Sequence, residues 1–451
     1  MSHADTIAAI ATASGAGGIG VIRLSGAQAL VIATGFLSRR PTPRFAHRCH
    51  FHDASGILID DGLLLAFPGP ASFTGEDVAE LQTHGSPIAL SLLLKRCIEL
   101  GARQAKPGEF SERAYLNNKI DLAQAEAIAD LIASGSEAAA RAAQRSLSGE
   151  FSERVNAVSR QLIELRVYVE AAIDFPEEEV DFLNSAELRE RFAQVHQSLQ
   201  TLLAQTRRGQ RLRDGLHLVI LGAPNAGKSS LLNALAGYES AIVTPIPGTT
   251  RDLLREHLQV DGMPLTVVDT AGLRESQDPV EMEGIRRASV EAAKADLLLL
   301  VSDSSTHAIE GLGADARIAT ALRTIPRLHI HNKIDVRGET AHIEQKGGET
   351  HIHLSARNGD GVDLLRQALR DHAGLSEGSE GLFSARARHV AALERTATEL
   401  DRARAQALDS GHGELAAEDL NRAHQTLSEI LGQFSSDDLL GAIFSSFCIG
   451  K

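Results

Sequence analysis

The sequence predicts a multidomain chain: an α+β domain at the N-terminus, then an all-α helical domain written in two segments, with an α/β domain inserted between them. Three observations predict it. Short β-branched runs broken by Gly and Pro turns fill residues 1–118. Residues 119–213 and 376–451 are dominated by Ala, Leu, Glu, Gln and Arg at helical spacing. Between them, over residues 214–375, strand-like and helix-like segments alternate as in a parallel, doubly wound sheet. A length of 451 residues accommodates three such domains.

Composition narrows the function classes. The chain has 59 acidic against 45 basic side chains, a formal net charge of −14, which excludes a protein that coats nucleic acid through a Lys/Arg excess. With 14 Phe, 3 Tyr and no Trp, too few rings are present for a single-strand stacking platform. Three Cys exclude a disulfide scaffold. Residues 1–118 hold ten basic and ten acidic side chains, so the acidic excess lies in 119–451. No basic leader and no apolar run of membrane-spanning length appears, which predicts a cytoplasmic protein without a membrane segment.

In the first domain, Thr6–Ile10, Gly20–Leu24 and Ile57–Phe67 read as strands. The run from Gly15 to Gly20 matches a dinucleotide fingerprint literally, but that motif must open a helix and Val21–Leu24 continue as strand, so a strand-connecting turn is expected. His47, Cys49, His50 and His52 are too crowded for a zinc finger and read as a solvated strand or loop. In the helical text, the acidic break Asp174–Glu179 reads as an interhelix loop. Each helical segment has an apolar stripe with nothing of its own to cover it, so the two are expected to be halves of one domain.

The inserted domain should have strands at Leu216–Leu221, Leu265–Asp269, Leu297–Ser302, Leu328–His331 and His351–Leu354, plus a hairpin with Asp261-Gly262 at its tip. His329/His331 and His351/His353 alternate with strand period, so each pair shares a face, and sheet-surface histidines are the default reading.

The chemistry concentrates at strand ends. Gly222-Ala223-Pro224-Asn225-Ala226-Gly227-Lys228-Ser229 follows a strand and opens a helix at Ser230, the context a phosphate-binding loop requires. Its glycines let backbone N–H groups turn toward phosphates, and the helix N-terminus adds positive charge. Lys228 is then the β/γ-phosphate ligand and Ser229 a Mg²⁺ ligand. Thr249 and Thr250, in Thr244-Pro245-Ile246-Pro247-Gly248-Thr249-Thr250, offer a hydroxyl to the same ion. Asp269-Thr270-Ala271-Gly272 ends a buried strand, where the Asp supports the Mg²⁺ shell and the Gly N–H senses a γ-phosphate. Asn332-Lys333-Ile334-Asp335 supplies an acceptor-only carboxylate for guanine's two edge N–H donors. In Ser355-Ala356-Arg357, a backbone N–H of Ser355-Ala356 is expected to reach the guanine oxygen. Four such elements in order predict a Mg²⁺-dependent GTPase.

Two departures shape the expected mechanism. The position after Asp-Thr-Ala-Gly is Leu273, which has no group to orient water, so Glu275 or Glu281 must do so. Asn225 adds an oxygen beside the β-phosphate, where a monovalent cation, coordinated also by carbonyls from Thr244–Thr249, would neutralise developing charge.

At this point the chain resembles the bacterial tRNA-modification GTPase MnmE (TrmE) family from end to end. The residues that carry the resemblance are Gly222–Ser229, Ile242–Thr244 leading into Gly248–Asp252, and Asp269–Arg274. Outside the nucleotide elements they are Ser72–Asp77, Pro107–Ala114, Leu122–Asp130, Glu170–Pro176 and the tail Phe447–Lys451. The resemblance implies an N-terminal domain that binds a reduced folate (5-formyltetrahydrofolate or 5,10-methylenetetrahydrofolate) and forms a homodimer. It implies potassium-dependent association of the GTPase domains. An FAD-dependent partner, MnmG, is implied in a heterotetramer that adds an aminomethyl-type group to carbon five of the wobble uridine of certain tRNAs.

Carried over by resemblance, Asn225, Thr244, Ile246 and Thr249 are K⁺ positions, Ser229 and Thr250 the Mg²⁺ ligands, and Glu281 the water-activating glutamate. Arg23, Glu80, Lys119 and Lys451 are folate positions, with Arg23 expected to face a glutamate tail. Cys448 is the tail cysteine implicated in modification; it also mimics a prenylation box, which Gly450 and Lys451 do not fit.

Overall fold

The protein is described from a computed structural model, which covers residues 5–174, 185–223, 225–237, 255–260, 263–269, 295–303, 325–373, 381–433 and 437–450. The first domain runs β1 (Ile7–Ile10), β2 (Gly17–Ser25), α1 (Ala29–Leu37), β3 (His47–His52), β4 (Leu58–Phe67), β5 (Val78–Gly85), α2 (Pro87–Glu99), β6 (Arg103–Gln104) and α3 (Glu109–Leu116). Its six strands form one sheet in the order β3-β4-β5-β2-β1-β6. Ser86 caps α2 by accepting from Ala89 N–H, and Pro87 opens the helix with its φ already set. Ile22, Leu24, Phe51, Leu64, Leu81, Leu90 and Leu93 pack together as the core.

β3 alternates strictly: His47, Cys49 and Phe51 are buried, His50 and His52 exposed, which is a half-buried strand and not a metal knuckle. The glycine run needs a correction. Gly17 to Gly20 lie within β2, not in a turn, and the register with β5 shifts between Gly17 and Gly20. A Cβ on Gly20 would stand 2.5 Å from the Leu90 side chain, so glycine there admits the helix to the sheet.

The helical text gives α4 (Leu122–Ala133), α5 (Glu137–Leu147), α6 (Glu150–Asp174) and α7 (Ala186–Asp214). The inserted domain follows with β7 (Leu216–Gly222), α8 (Lys228–Ala236), β8 (Arg255–Val260), β9 (Met263–Asp269), β10 (Leu297–Asp303), β11 (Arg327–Asn332), α9 (Ile334–Arg337), β12 (His342–Lys346), β13 (Glu349–His353) and α10 (Val362–Ala373). Helices return as α11 (Ala387–Arg404), α12 (Gly413–Ser428) and α13 (Asp437–Ser445), with one π-helical turn at Ala405–Asp409. The acidic run at 175–179 and the linker at 376–380 lie outside the described residues.

The inserted sheet has seven strands in the order β12-β13-β11-β10-β7-β9-β8. β13, β11, β10, β7 and β9 are parallel neighbours, and β8 joins β9 as the antiparallel hairpin expected around Asp261-Gly262. β12 is an edge strand the sequence reading does not contain. Its five residues are all exposed, so no buried alternation marks it. Gly347 and Gly348, at φ +63° and +84°, turn it back onto β13.

The imidazoles of His329, His331, His351 and His353 do share one face, as expected. Burial first, then the neighbouring rings of His353, His351 and His329, pushes His331 down to about 4.

The chain divides into two compact units: Met1–Ala129, Leu147–Arg189 and Thr398–Lys451 in one, Asp130–Ser146 and Glu190–Ala397 in the other. Within the first, α6 packs along α12, a helix from each side of the insertion, and Arg166 donates to Asn421 Oδ1 at 2.8 Å. The helical domain is therefore built from two segments around an inserted α/β domain. Within the second, Asp130 gathers the chain where it enters and leaves the insertion. It accepts from Arg213 Nε, Arg386 Nη2 and Ser384 Oγ, each at 2.7 Å.

The first unit has its own buried charge cluster. Arg113 is fully buried, and its guanidinium donates to Asp5 Oδ1 at 2.8 Å, Glu76 Oε2 at 3.0 Å and Glu109 Oε1 at 3.0 Å. Glu109 also receives both terminal nitrogens of Arg103 and the N–H of Lys106. Ser25 donates to the same Glu76 carboxylate at 2.8 Å. Two guanidinium groups thus meet three carboxylates, the pairing under which buried charge is tolerated, with Arg113 Nε alone of that guanidinium buried without a hydrogen-bond partner among the described residues.

Burial alone would raise the Glu109 carboxyl, but the hydrogen bonds from Arg103, Lys106 N–H and Arg113 hold it down, to about 2 against an ordinary 4.5. Its folded value lies below its unfolded one, so its stabilisation is present above pH 4.5 and lost as pH falls toward 2. Urea melts across that window should show the wild type losing stability faster with acid than Glu109→Gln, which starts less stable; parallel curves would remove Glu109 from this role.

Candidate nucleotide site

The phosphate loop leaves β7 at Gly222 and enters α8 at Lys228. Asn225 and Gly227 both take positive φ, +65° and +92°, which turns the intervening backbone. Lys228 Nζ donates to the loop's own carbonyls, Gly222 O at 2.8 Å and Ala223 O at 3.1 Å, and so lies over the concave side of the loop. Asn225, Ser229 and Ser230 are exposed and Ala226 is buried.

Asn332, 2% exposed, joins three loops. Its Nδ2 donates to Ala226 O at 2.9 Å, and its Oδ1 accepts from Lys333 N–H at 2.8 Å and from Ala356 N–H at 2.9 Å. The phosphate loop and the loops after β11 and β13 are therefore held at one point. A Cβ on Gly227 would lie 2.2 Å from Asn332 Nδ2, so a glycine there is required by close approach as well as by φ.

The Asp335 carboxylate is oriented too. Ser355 Oγ donates to Asp335 Oδ1 at 2.7 Å. Lys333 pairs with Asp303 Oδ2 at 2.7 Å, a residue the sequence reading missed. Its only signal is position, since Asp303 ends β10 as the recognised motifs end the other strands. Arg357 is exposed at the rim.

In this arrangement Ala356 N–H goes to Asn332 and Ser355 N–H to Asp360 O at 2.8 Å. Thr244, Pro245, Ile246, Pro247, Gly248, Thr249, Thr250, Thr270, Ala271, Gly272, Leu273, Glu275 and Glu281 lie outside the described residues, as does the side chain of Asp269.

The first domain holds a separate cavity of about 350 Å³, lined by Arg23, Arg44, Phe67, Ala71, Ser72, Phe73, Val78 and Glu80. Arg23 and Glu80 are cross-strand partners on β2 and β5, and the guanidinium contacts Glu80 Oε1 at 2.9 Å. Arg23 is thus paired with Glu80 on the wall of the cavity. Lys119 does not line the cavity; its Nζ donates to Pro70 O at 3.0 Å and holds the adjoining loop.

The C-terminal tail lies against the same domain, with Ile449 bridging Pro107 and Gly108 N–H donating to Cys448 O at 3.3 Å. Cys448 is exposed, whereas Cys49 and Cys97 are buried and pushed up to about 11 and about 12 by desolvation. Lys451 lies outside the described residues.

Residues 122–448 match the family model described as MnmE helical domain, and residues 6–119 that described as GTP-binding protein TrmE N-terminus. The chain belongs to the MnmE family. It is 53% identical to the tRNA modification GTPase MnmE of Erwinia tasmaniensis over 100% of both chains. It is 55% identical to that of Pseudomonas syringae pv. tomato over 99% of both, and 54% identical to that of Ectopseudomonas mendocina over 100% of both. Among solved structures, a GTP-binding protein from Sulfolobus solfataricus with GDP aligns at 18% identity and a TM-score of 0.27, covering 48% of this chain and 67% of its own. In this MnmE-family chain the loop after β7 and the runs Asn332–Asp335 and Ser355–Ala356 follow the C-terminal ends of parallel strands, where open α/β sheets bind ligands.

Asn332→Ala should destabilise the inserted domain by about 2–4 kcal/mol, because Ala226 O and Ala356 N–H lose a buried partner. Asn332→Asp keeps the oxygen and should fall between. Chemical denaturation of both variants checks the order, and equal stability of all three proteins would refute the clamp.

Proposed function

We propose that the chain hydrolyses GTP as a step in tRNA modification, and that hydrolysis is stimulated by potassium. With an FAD-dependent MnmG partner in a heterotetramer, it would modify carbon five of the wobble uridine of certain tRNAs, adding an aminomethyl or carboxymethylaminomethyl group from a reduced-folate one-carbon unit. The observation that carries the nucleotide half is Asn332, which fixes the phosphate loop against both guanine loops.

On this reading Lys228 exchanges the two loop carbonyls for the β- and γ-phosphate oxygens. Asp335, already oriented by Ser355, accepts guanine's two edge donors. Ser229, exposed on the first turn of α8, and Thr250 hold Mg²⁺, which neutralises charge on the β- and γ-phosphates. Asn225, Thr244, Ile246 and Thr249 hold K⁺ where other GTPases present an arginine finger. Glu281 takes the proton of the attacking water, a task for which Leu273 has no group.

The cavity at Arg23 and Glu80 supports the folate half. The Glu80 carboxylate offers acceptors for pterin N–H groups, Phe73 offers an apolar wall, and Lys119 and Lys451 stand as further folate positions. Cys448 is the thiol available to the modification chemistry. Residues 1–118 would be the folate-binding and homodimerising domain, and Ile57, Leu58, Ile88 and Leu92 are exposed apolar side chains on it that a second copy would cover. Residues 119–213 and 376–451 would be the helical domain and 214–375 the GTPase domain.

GTP turnover should rise in potassium and not in sodium at matched ionic strength; equal rates would refute the cation reading. Glu281→Ala should retain nucleotide binding and lose about 10²–10⁴-fold in rate, and wild-type turnover would move the role to Glu275. Calorimetry of the full chain with 5-formyltetrahydrofolate should give binding that Glu80→Gln weakens by about 10-fold or more; no binding to the wild type would remove the folate step.

A further inference from the structure

One face of the inserted sheet carries a ladder of five imidazoles that the nucleotide chemistry does not use. β11, β13 and β12 are in register, so His329 stands beside His351 and His331 beside His353, with His342 beyond. The rings stack: His329–His351 centroids are 4.3 Å apart at 9°, His331–His353 4.5 Å at 23°, and His342–His353 4.2 Å at 8°. His331 Nε2 lies 3.0 Å from His351 Nδ1.

A carboxylate closes each end. His329 Nε2 donates to Glu349 Oε2 at 2.6 Å, and Glu344 Oε1 lies 4.0 Å from His353 Nε2.

We propose that this ladder binds divalent transition-metal ions of the Zn²⁺ class, one through His329, Glu349 and His351 and a second through His342, Glu344 and His353. In each triad one ligand atom from every side chain lies within 4.8 Å of the other two. Imidazole nitrogen with a single carboxylate is the donor set that suits zinc, whereas Mg²⁺ prefers all-oxygen shells.

Two further observations point to a ligand. His353 buries both ring nitrogens, and His329 its Nδ1, without a hydrogen-bond partner among the described residues, an arrangement that sheet-surface histidines in contact with water would not need. Arg327 Nε holds Glu349 Oε1 at 3.2 Å and so turns Oε2 toward His329, the kind of outer support that metal-binding carboxylates receive.

The full-length protein, stripped with a chelator, is titrated with Zn²⁺ at pH 7.5 in calorimetry. Two equivalents are expected at micromolar metal. His329→Gln/His351→Gln and His342→Gln/His353→Gln should each remove one, weakening that site by more than about 100-fold. His84→Gln, in the separate Asp60, Asp61 and His84 cluster, should leave both. Retention of two equivalents in both double variants, loss of one in His84→Gln, or no binding to the wild type would overturn the proposal. Co²⁺ bound to the wild type tests it without any substitution: visible ligand-field bands without a thiolate charge-transfer band are expected, and a thiolate band would overturn it.

Discussion

Three loops that follow three different strands stay in register, and a single buried amide holds them so. Asn332 satisfies Ala226 O, Lys333 N–H and Ala356 N–H at once. The bonds to Ala226 O and Ala356 N–H are buried, so the amide is constrained by the loops as much as they are by it. Much else in the inserted domain follows. Gly227 has no room for a side chain, Ser355 aims Asp335, and the parallel order of β13, β11, β10 and β7 brings those strand ends to one edge.

The first unit solves a different problem with the same economy. Two of the family-like runs, Ser72–Asp77 and Pro107–Ala114, lie far apart in sequence, yet they meet in one buried cluster. Glu76 comes from the first run, Glu109 and Arg113 from the second. Their residue types are therefore explained by charge pairing in the interior. The cluster stands beside the tail, since Pro107 bridges Ile449 and Gly108 binds the Cys448 carbonyl. The position of the exposed thiol is thus tied to the segment that carries the cluster's central pair.

Legibility in the sequence followed locality. The phosphate loop and the Asn332–Asp335 run were readable because each is contiguous and has a local backbone requirement, as positive φ at Asn225, Gly227 and Lys333 bears out. The hairpin at β8 and β9 was readable for the same reason. β12 was not, because an edge strand with every side chain exposed leaves no alternation to find. The Arg113 cluster was hidden by distance: Asp5 is 108 residues away along the chain and Glu76 37. What Lys119 and Arg23 hold depends on the Pro70 carbonyl and on Glu80, partners that only the fold supplies.

The pairing of α6 with α12 has a consequence in time. The apolar stripe of α6, Val155, Val158, Leu162, Leu165 and Val169, is buried in the finished protein. Its partner helix carries Leu420 and Leu427, which the ribosome reaches only after the whole inserted domain. About 250 residues separate Leu165 from Leu420, so at about 5–20 residues per second the stripe waits roughly 12–50 s for its cover. Helices in proteins draw most of their stability from packing of the apolar face, which α6, 25 residues long, lacks until then. The nascent chain therefore passes through a stage in which a complete nucleotide domain hangs from an unfinished helical one, and that is when α6 is open to chaperones and to wrong partners.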